Sequence, residues 1–294
     1  MNRDNALRTA RLRLIGSMML FGTIGLFRRS IALPSGLIAY CRGLVGCISL
    51  LLLLRLRGGR LHMQAIRRNA AILALSGAAM GFNWILLFEA YRYTSVAEAT
   101  LCYYMAPVIV IVLSPILLGE RLGWKKGVCV LAAAVGMVLI SGATDPAARE
   151  PGAWRGTLLG LGAAGLYAAV VLLNKRLRQI GAYERTVVQL LAAGLVLMPY
   201  VLTVETLPAL HPDMRDVLLL LTVCIVHTGL AYALFFGAVS VLPAQTAAIL
   251  SYLDPITALL LSALFLHEHL GAAGVVGAVL LLGAAAVSEA LPQK

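Results

Sequence analysis

The sequence predicts an all-α integral membrane protein with ten transmembrane helices, arranged as two inverted five-helix repeats. Three observations lead to this fold class. The 294-residue chain is 61% hydrophobic and 13% charged, whereas a soluble protein has about 25% charged residues. Its apolar runs repeatedly reach the ~20 residues that cross a bilayer as a helix. A pattern in the first half returns 148 positions later, and a repeat at half the chain length indicates a duplicated unit.

The composition argues against several other classes of protein. A 31.2 kDa globule needs more polar surface than this chain has, and the period-2 alternation of a membrane β-barrel is absent. The net charge of +11 does not indicate nucleic-acid binding, because the basic residues lie in short loops between apolar runs. The five cysteines lie inside apolar runs without a C-x-x-C pair, so we expect neither a disulfide framework nor a metal site.

The repeat is clearest in the fourth span of each half and in the loop that follows it. Five residues recur at the same offset: Tyr104 and Tyr252, Pro107 and Pro255, Ser114 and Ser262, Glu120 and Glu268, Gly123 and Gly271. Each half therefore has a proline inside its fourth span and an acidic residue at the end of that span.

The apolar runs define ten predicted spans. In chain order they are 14–33, 36–54, 69–91, 95–118, 124–141, 156–175, 184–204, 216–241, 244–267 and 272–290. Each half has an odd number of spans, so the second half must enter the membrane in the opposite orientation, which is typical of secondary transporters. The expected domains are a first repeat at 1–142, a linker at 143–155 and a second repeat at 156–294.

The distribution of Lys and Arg predicts the orientation. With the N-terminus inside, 17 of these residues fall at the cytoplasmic ends of the spans and six at the other ends, while Arg42 lies within a span. We therefore expect both termini in the cytoplasm, and a multi-pass protein of a bacterial-type inner (plasma) membrane. No A-x-A-like cleavage site ends the first span, which favours a retained helix over a signal peptide.

The joint order of these features resembles the EamA-type drug/metabolite transporter superfamily. The fourth spans close on the acidic caps Leu118-Gly119-Glu120-Arg121-Leu122 and Leu266-His267-Glu268-His269-Leu270. Arg42 in the second span and Tyr252-Leu253-Asp254-Pro255 in the ninth also look like that family, although His267 stands where the family usually has Gly. The resemblance implies a transporter, with export as its usual direction. It leaves the substrate open among amino acids, other metabolites, drugs and quaternary amines.

Asp254 is the strongest candidate for a functional group. It lies near the middle of the ninth span beside Pro255, and an ionisable group at membrane depth costs several kcal/mol unless it is paired or hydrated. One interpretation is a site that binds a proton or a substrate amine. The other is a structural ion pair with Arg42, which lies at a similar depth in the second span.

Four further polar residues lie within the spans. His227 is a candidate for carrying a coupling proton, or else a neutral histidine bonded to a nearby carbonyl. Glu89 is another coupling candidate, although an i,i+3 ion pair with Arg92 explains it equally well. Asn83 and Gln189 either hold helices together or hydrogen-bond a substrate.

Aromatic residues at mid-span predict the walls of a substrate cavity between spans 1, 3, 4, 6, 8 and 9. They are Phe21, Trp84, Tyr103, Tyr104, Tyr167, Tyr232 and Tyr252. Aromatic walls suit organic cations through cation–π contact and equally suit apolar side chains of amino acids. Ordinary helix packing is the alternative for part of this set. Arg42 completes the predicted substrate-binding residues.

The sequence contains no P-loop, G-x-S-x-G or H-E-x-x-H motif, so we expect no enzymatic activity and no cofactor. The predicted function is a secondary active transporter, and an exporter by family resemblance, of a small amphipathic amino acid or amine by alternating access. An organic-cation, quaternary-ammonium or drug transporter is one alternative, and a non-transporting membrane scaffold is another. The expected partners are a small-molecule substrate, the lipid bilayer and, as a candidate coupling ion, the proton. Nucleic acid is not expected, and the protein is a monomer or a homodimer.

Overall fold

The computed structural model describes residues 3–56, 58–119, 123–141, 152–205, 210, 212–242, 244–268 and 270–290. Within these ranges every regular element is a helix, and no strand occurs. Glu120 and most of the predicted linker at 143–155 lie outside the described residues.

Helices follow one another along both halves of the chain. The first half contains α1 (Arg3–Gly22), α2 (Ile24–Ser30), α3 (Ser35–Leu56), α4 (Met63–Arg68), α5 (Ala70–Tyr93), α6 (Val96–Tyr103), α7 (Ala106–Leu118) and α8 (Trp124–Ile140). The second half contains α9 (Ala153–Asn174), α10 (Ala182–Val204), α11 (Met214–Cys224), a π-helical segment (Ile225–Leu230), α12 (Ala231–Val239), α13 (Ala244–Ser251), α14 (Leu253–Phe265) and α15 (Ala272–Ala290).

Each predicted span coincides with one helix or with consecutive helices. In the described part of the chain, seven helical stretches are long and apolar enough to cross a membrane, and the shorter apolar helices Leu253–Phe265 and Ala272–Ser288 follow. Spans 2, 3, 5, 6, 7 and 10 are α3, α5, α8, α9, α10 and α15. The predicted all-α membrane fold with two sets of five spans is confirmed.

The other four spans are interrupted near their middle. Spans 4 and 9 break just before the helices α7 and α14, which carry Pro107 and Pro255 in their first turn. Proline is tolerated there because its missing N–H has no partner in a first helical turn. Span 1 breaks at Thr23, and span 8 contains the π-helical segment Ile225–Leu230. Neither of these two interruptions contains a proline, and neither was predicted.

Equivalent spans of the two halves pack against each other. Span 5 (α8) lies against span 10 (α15), and a Cβ atom added at Gly136 would lie 2.6 Å from the carbonyl oxygen of Gly277. Span 2 (α3) lies against span 7 (α10), where a Cβ added at Gly43 would lie 2.6 Å from the amide nitrogen of Gly194. Small residues at these crossings allow the close backbone approach that is common between membrane helices.

Candidate functional site

The four helix interruptions meet in one region of the bundle. The Thr23 hydroxyl, at the break in span 1, lies 2.7 Å from Nε2 of His227 in the π-helical segment. The Tyr104 hydroxyl, at the break in span 4, lies 2.7 Å from Oδ2 of Asp254, just after the break in span 9. A Cβ added at Gly22 would lie 2.6 Å from the Asp254 carbonyl oxygen, so spans 1 and 9 also touch here.

Asp254 lies in the first turn of α14, at the start of the second part of span 9. A carboxylate is stabilised there by the unpaired N–H groups and the positive end of the helix dipole. The side chain is half-buried, and its hydrogen-bond donor among the described residues is the Tyr104 hydroxyl. Asp254 therefore has one oxygen held by spans 4 and 9, while Oδ1 remains available to another partner.

Arg42 projects from α3 into the protein interior and is only 4% exposed. Its Nε donates to the Thr228 hydroxyl at 3.1 Å. The guanidinium lies over the Trp84 ring at 4.1 Å and near the Phe88 ring at 5.4 Å. Its Nη1 and Nη2 atoms make no hydrogen bond to any residue that the structure describes, although such groups are strong donors to carboxylates.

The alternative interpretation of Asp254, a structural ion pair with Arg42, is not observed among the described residues. Arg42 points toward the π-helical segment and Asp254 toward Tyr104. The break in span 9 and the π-helical segment both contact span 1, at Gly22 and Thr23 respectively. One cation and one carboxylate thus lie in the same region without neutralising each other.

Five of the seven predicted aromatic residues form two groups. Beside Asp254, the Tyr103 ring centroid lies 6.2 Å from that of Tyr104 and 5.3 Å from that of Tyr167. Phe21 and Tyr232, from spans 1 and 8, have ring centroids 5.3 Å apart. The remaining two are Trp84, under the Arg42 guanidinium, and Tyr252, half-buried at the break in span 9.

His227 and Glu89, the other coupling candidates, have local partners. His227 is 1% exposed, and besides Thr23 it has the Phe27 ring at 4.6 Å in an edge-on arrangement. Both Glu89 carboxylate oxygens lie 3.2 Å from Nη1 of Arg92, which is the i,i+3 ion pair considered from the sequence. Neither residue contacts Asp254 within the described ranges.

The two mid-span amides join helices. Nδ2 of Asn83 donates to the Ala163 carbonyl at 2.5 Å, which ties span 3 to span 6. Its Oδ1 is buried and has no hydrogen-bond partner among the described residues. Nε2 of Gln189 lies 2.7 Å from both the Ser76 hydroxyl and Oδ1 of Asn174. Gln189 thus connects spans 3, 6 and 7.

Sequence reasoning missed Thr228, the residue that orients Arg42. Its hydroxyl donates to the Val223 carbonyl at 3.1 Å and accepts from Arg42. The Thr228 side chain thus bonds the carbonyl five residues earlier, just before the π-helical segment. A second polar residue directly after His227 in an apolar span was the available signal.

Arg29 and Glu268 join several helix ends at one end of the bundle. Nη2 of Arg29 donates to the Thr94 carbonyl at 2.7 Å and lies 3.1 Å from Oε1 of Glu268. Oε2 of Glu268 accepts from the Val96 amide at 2.8 Å and from the Ser262 hydroxyl. These contacts connect the ends of spans 1, 4 and 9 at one face of the protein.

A metal centre has no basis in the described part of the chain, where no three His, Cys, Asp or Glu residues are grouped to hold an ion.

Comparisons with known proteins agree with the duplicated architecture. The model of the EamA-like transporter family matches the chain twice, over residues 9–142 and 154–289, and this internal duplication is consistent with inverted repeats. A solved crystal structure matches with a TM-score of 0.65 at 20% identity, over 95% of this chain and 96% of that chain. This second match shows a likeness of fold.

Several curated proteins are similar over most of the chain. An uncharacterized transporter of Bacillus subtilis, YxxF, is 28% identical over 259 residues, which are 87% of this chain and 82% of that protein. Protein PecM of Dickeya dadantii is 31% identical over 69% of this chain and 67% of its own length. Protein RarD of Streptomyces exfoliatus is 28% identical over 91% of this chain and 84% of its own length.

Proposed function

Since the chain belongs to the EamA-like transporter family, as its sequence features predicted, we propose that it is a secondary active transporter of a small amphipathic organic metabolite. The substrate class is an amino acid or an amine, moved outward by alternating access across a bacterial-type inner membrane. Both termini lie in the cytoplasm in this proposal, and the protein performs no enzymatic step.

The position of Arg42 is the observation that carries the substrate class. The Arg42 residue is almost fully buried, yet its Nη1 and Nη2 atoms have no hydrogen-bond partner within the described residues and are not fully enclosed, so a ligand can reach them. A buried charge is strongly unfavourable unless a partner satisfies it. A substrate carboxylate is a suitable partner because Arg binds carboxylates with two parallel hydrogen bonds.

Asp254 supplies the complementary charge for a substrate ammonium group. Its free Oδ1 and the rings of Tyr103, Tyr104 and Tyr167 form an acidic and aromatic surface. Such a surface attracts an ammonium group by charge and by cation–π contact. A substrate that carries both charges therefore satisfies Arg42 and Asp254 together, which neither a simple anion nor a simple cation does.

Two alternatives are less consistent with these contacts. An organic cation could bind beside Asp254, but it would leave the Nη donors of Arg42 without a partner, and Arg42 already covers the Trp84 face at 4.1 Å. A membrane scaffold needs a packed interior with satisfied polar groups, which the free donors of Arg42 do not fit.

The interrupted helices support alternating access as the mechanism. Discontinuous helices near mid-membrane form the substrate sites of many transporters, and the two halves move against each other around such a site. Here the Tyr104–Asp254 contact joins the break in span 4 of one half to the break in span 9 of the other. Relative movement of the halves therefore acts directly on the proposed site.

A ligand screen tests the proposed substrate class. The purified protein is heated with amino acids, quaternary amines and nucleobases, because a ligand that binds only the folded state stabilises it, by about 2.7 kcal/mol at a concentration of 100 Kd. We expect zwitterionic amino acids to raise the unfolding temperature, and Arg42→Gln to abolish this shift.

Arg92→Gln is the matched control, since Arg92 is an exposed arginine in the neighbouring span and pairs with Glu89. Ligands that stabilise the protein are then assayed for counterflow in proteoliposomes. If only quaternary amines raise the unfolding temperature, and Arg42→Gln leaves this shift unchanged, the organic-cation alternative is established. The absence of both stabilisation and counterflow for every compound would favour the scaffold.

A further inference from the structure

A cationic cavity lies far from the Arg42 and Asp254 region, at one end of the bundle. It has a volume of about 710 Å³ and opens where α4 meets α5 and where α9 connects to α10. Its lining residues are Arg68, Asn69, Ile72, Lys175, Arg176, Leu177 and Arg178.

The cavity lining carries positive charge without a carboxylate. Four of its seven residues are Lys or Arg, and all four side chains are exposed. Arg68, Arg176 and Arg178 form no ion pair with a carboxylate in the described part of the chain. The first turn of α10 does contain Glu184, but its carboxylate accepts from the Gly181 amide and from His62.

Hydrogen bonds fix the frame of this cavity. The Asn69 side chain is 4% exposed and is bonded to both the amide and the carbonyl of Arg178, at 3.0 and 2.9 Å. Nη1 of Arg68 donates to Oε1 of Gln179 at 3.0 Å, and Nη2 of Arg176 donates to the Leu117 carbonyl at 2.9 Å. A guanidinium has five donors, so each of these arginines keeps several for a ligand.

The chemistry of the lining and its depth together identify the ligand. We propose that this cavity binds the phosphate group of an anionic membrane phospholipid. It lies at the ends of membrane-spanning helices, which is the level of the lipid headgroups, and Ile72 and Leu177 give it an apolar part suited to the start of an acyl chain. Basic pockets between transmembrane helices on the cytoplasmic side bind anionic headgroups in this way.

The predicted orientation agrees with this assignment, because it places these residues at the cytoplasmic end of the spans. A soluble phosphate compound would be recognised by the same arginines but would gain nothing from Ile72 and Leu177. The experiment therefore separates these two sources of phosphate.

The test measures lipid binding to the full-length protein in detergent, by native mass spectrometry. Phosphatidylglycerol is compared with phosphatidylcholine of identical acyl chains, and inorganic phosphate and glycerol 3-phosphate are added in separate arms. Arg68→Gln, Arg176→Gln and Arg178→Gln are combined in one variant. The matched control combines Arg55→Gln, Arg60→Gln and Arg67→Gln, which remove the same charge at the same end and do not line the cavity.

We expect the parent to prefer phosphatidylglycerol, and the cavity variant to lose at least about tenfold in its affinity, since losing a single hydrogen bond to a charged group already costs about tenfold. The control should stay within about twofold of the parent. Equal loss in both variants, equal binding of the two lipids, or full competition by glycerol 3-phosphate would overturn the proposal. Circular dichroism verifies that the variants are folded, and this binding readout is independent of transport.

Discussion

Replacing Asp254 by asparagine is the sharpest test of how transport is driven. The asparagine side chain keeps an oxygen that can accept the hydrogen bond from the Tyr104 hydroxyl, which lies 2.7 Å from Oδ2 of Asp254 in the parent. It also keeps the shape of the residue at the break in span 9. The change removes the titratable negative charge, which is both the proposed proton site and the proposed partner of the substrate ammonium group. We therefore expect folding and membrane insertion to persist and gradient-driven transport to be lost.

The expected accumulation of substrate follows from the number of titratable carboxylates, which is one beside the Tyr103–Tyr104–Tyr167 group. We expect exchange at Asp254 to couple one proton to each substrate molecule. A pH difference of one unit supplies about 1.36 kcal/mol per proton, which is a factor of ten in concentration. The parent should therefore reach about tenfold accumulation at one unit and about hundredfold at two units. With Asp254→Asn, the substrate should only reach equal concentrations on the two sides of the membrane.

The assay uses proteoliposomes with a set internal pH and the labelled substrate from the ligand screen. Tyr104→Phe is the control, because it removes the hydroxyl that bonds Asp254 but keeps the carboxylate and the ring. A hydrogen bond to a charged group contributes about 1.5–3 kcal/mol, so this variant should transport about ten- to hundredfold more slowly yet still accumulate substrate. Circular dichroism and size-exclusion chromatography check the folding of both variants.

The reasoning is refuted if Asp254→Asn accumulates substrate like the parent at every pH tested. Asp254 would then be a structural residue, and the coupling ion or group would lie elsewhere. Equal loss of accumulation in Asp254→Asn and Tyr104→Phe would also contradict it, because the effect would then follow the hydrogen bond and not the titratable charge.

Three further predictions concern the bundle and its orientation. Glu268→Gln weakens the Arg29–Glu268 ion pair, and a partly exposed ion pair contributes about 0.2–1 kcal/mol. A cysteine introduced inside the bundle should therefore react with a thiol reagent about two- to fivefold faster than in the parent. An unchanged rate would show that this ion pair does not restrict access to the interior. Gly136→Leu should destabilise the protein by about 1–3 kcal/mol, unlike Gly283→Leu, whose Cβ meets no atom within 4 Å; thermal unfolding that ranks both variants alike would reject this contact. The thiol introduced by Arg60→Cys should not react with an impermeant thiol reagent added to intact cells. Reaction would show the orientation opposite to the proposed one.

The spans were predictable because local signals specify them. A run of apolar residues of bilayer length identifies a helix regardless of what packs against it. The breaks were not predicted: Pro107 and Pro255 lie beside breaks, whereas Pro115 and Pro199 lie inside α7 and α10. The breaks at Thr23 and at Ile225–Leu230 contain no proline. They depend on contacts such as the one between Thr23 and His227, which sequence order does not contain.

The contacts of Arg42 show the other limit of sequence reasoning. Counting residues along a helix gives depth, at 1.5 Å per residue, and equal depth suggested a pair with Asp254. Depth leaves the rotation of each helix about its own axis undetermined. The rotation observed directs Arg42 to Trp84 and Thr228, and Asp254 to Tyr104. Tyr104 and Asp254 were both named from the sequence, but their bond required the packing of spans 4 and 9.

The π-helical segment Ile225–Leu230 gives span 8 one residue more than an α-helix needs for the same path. In a regular span such as α5, deleting one residue turns everything beyond it by about 100° and moves its inward-facing side chains to another face. In span 8 a single deletion inside the segment converts π to α geometry and leaves both flanking helices in register. Span 8 thus tolerates a change of length, provided that Thr228 still reaches Arg42.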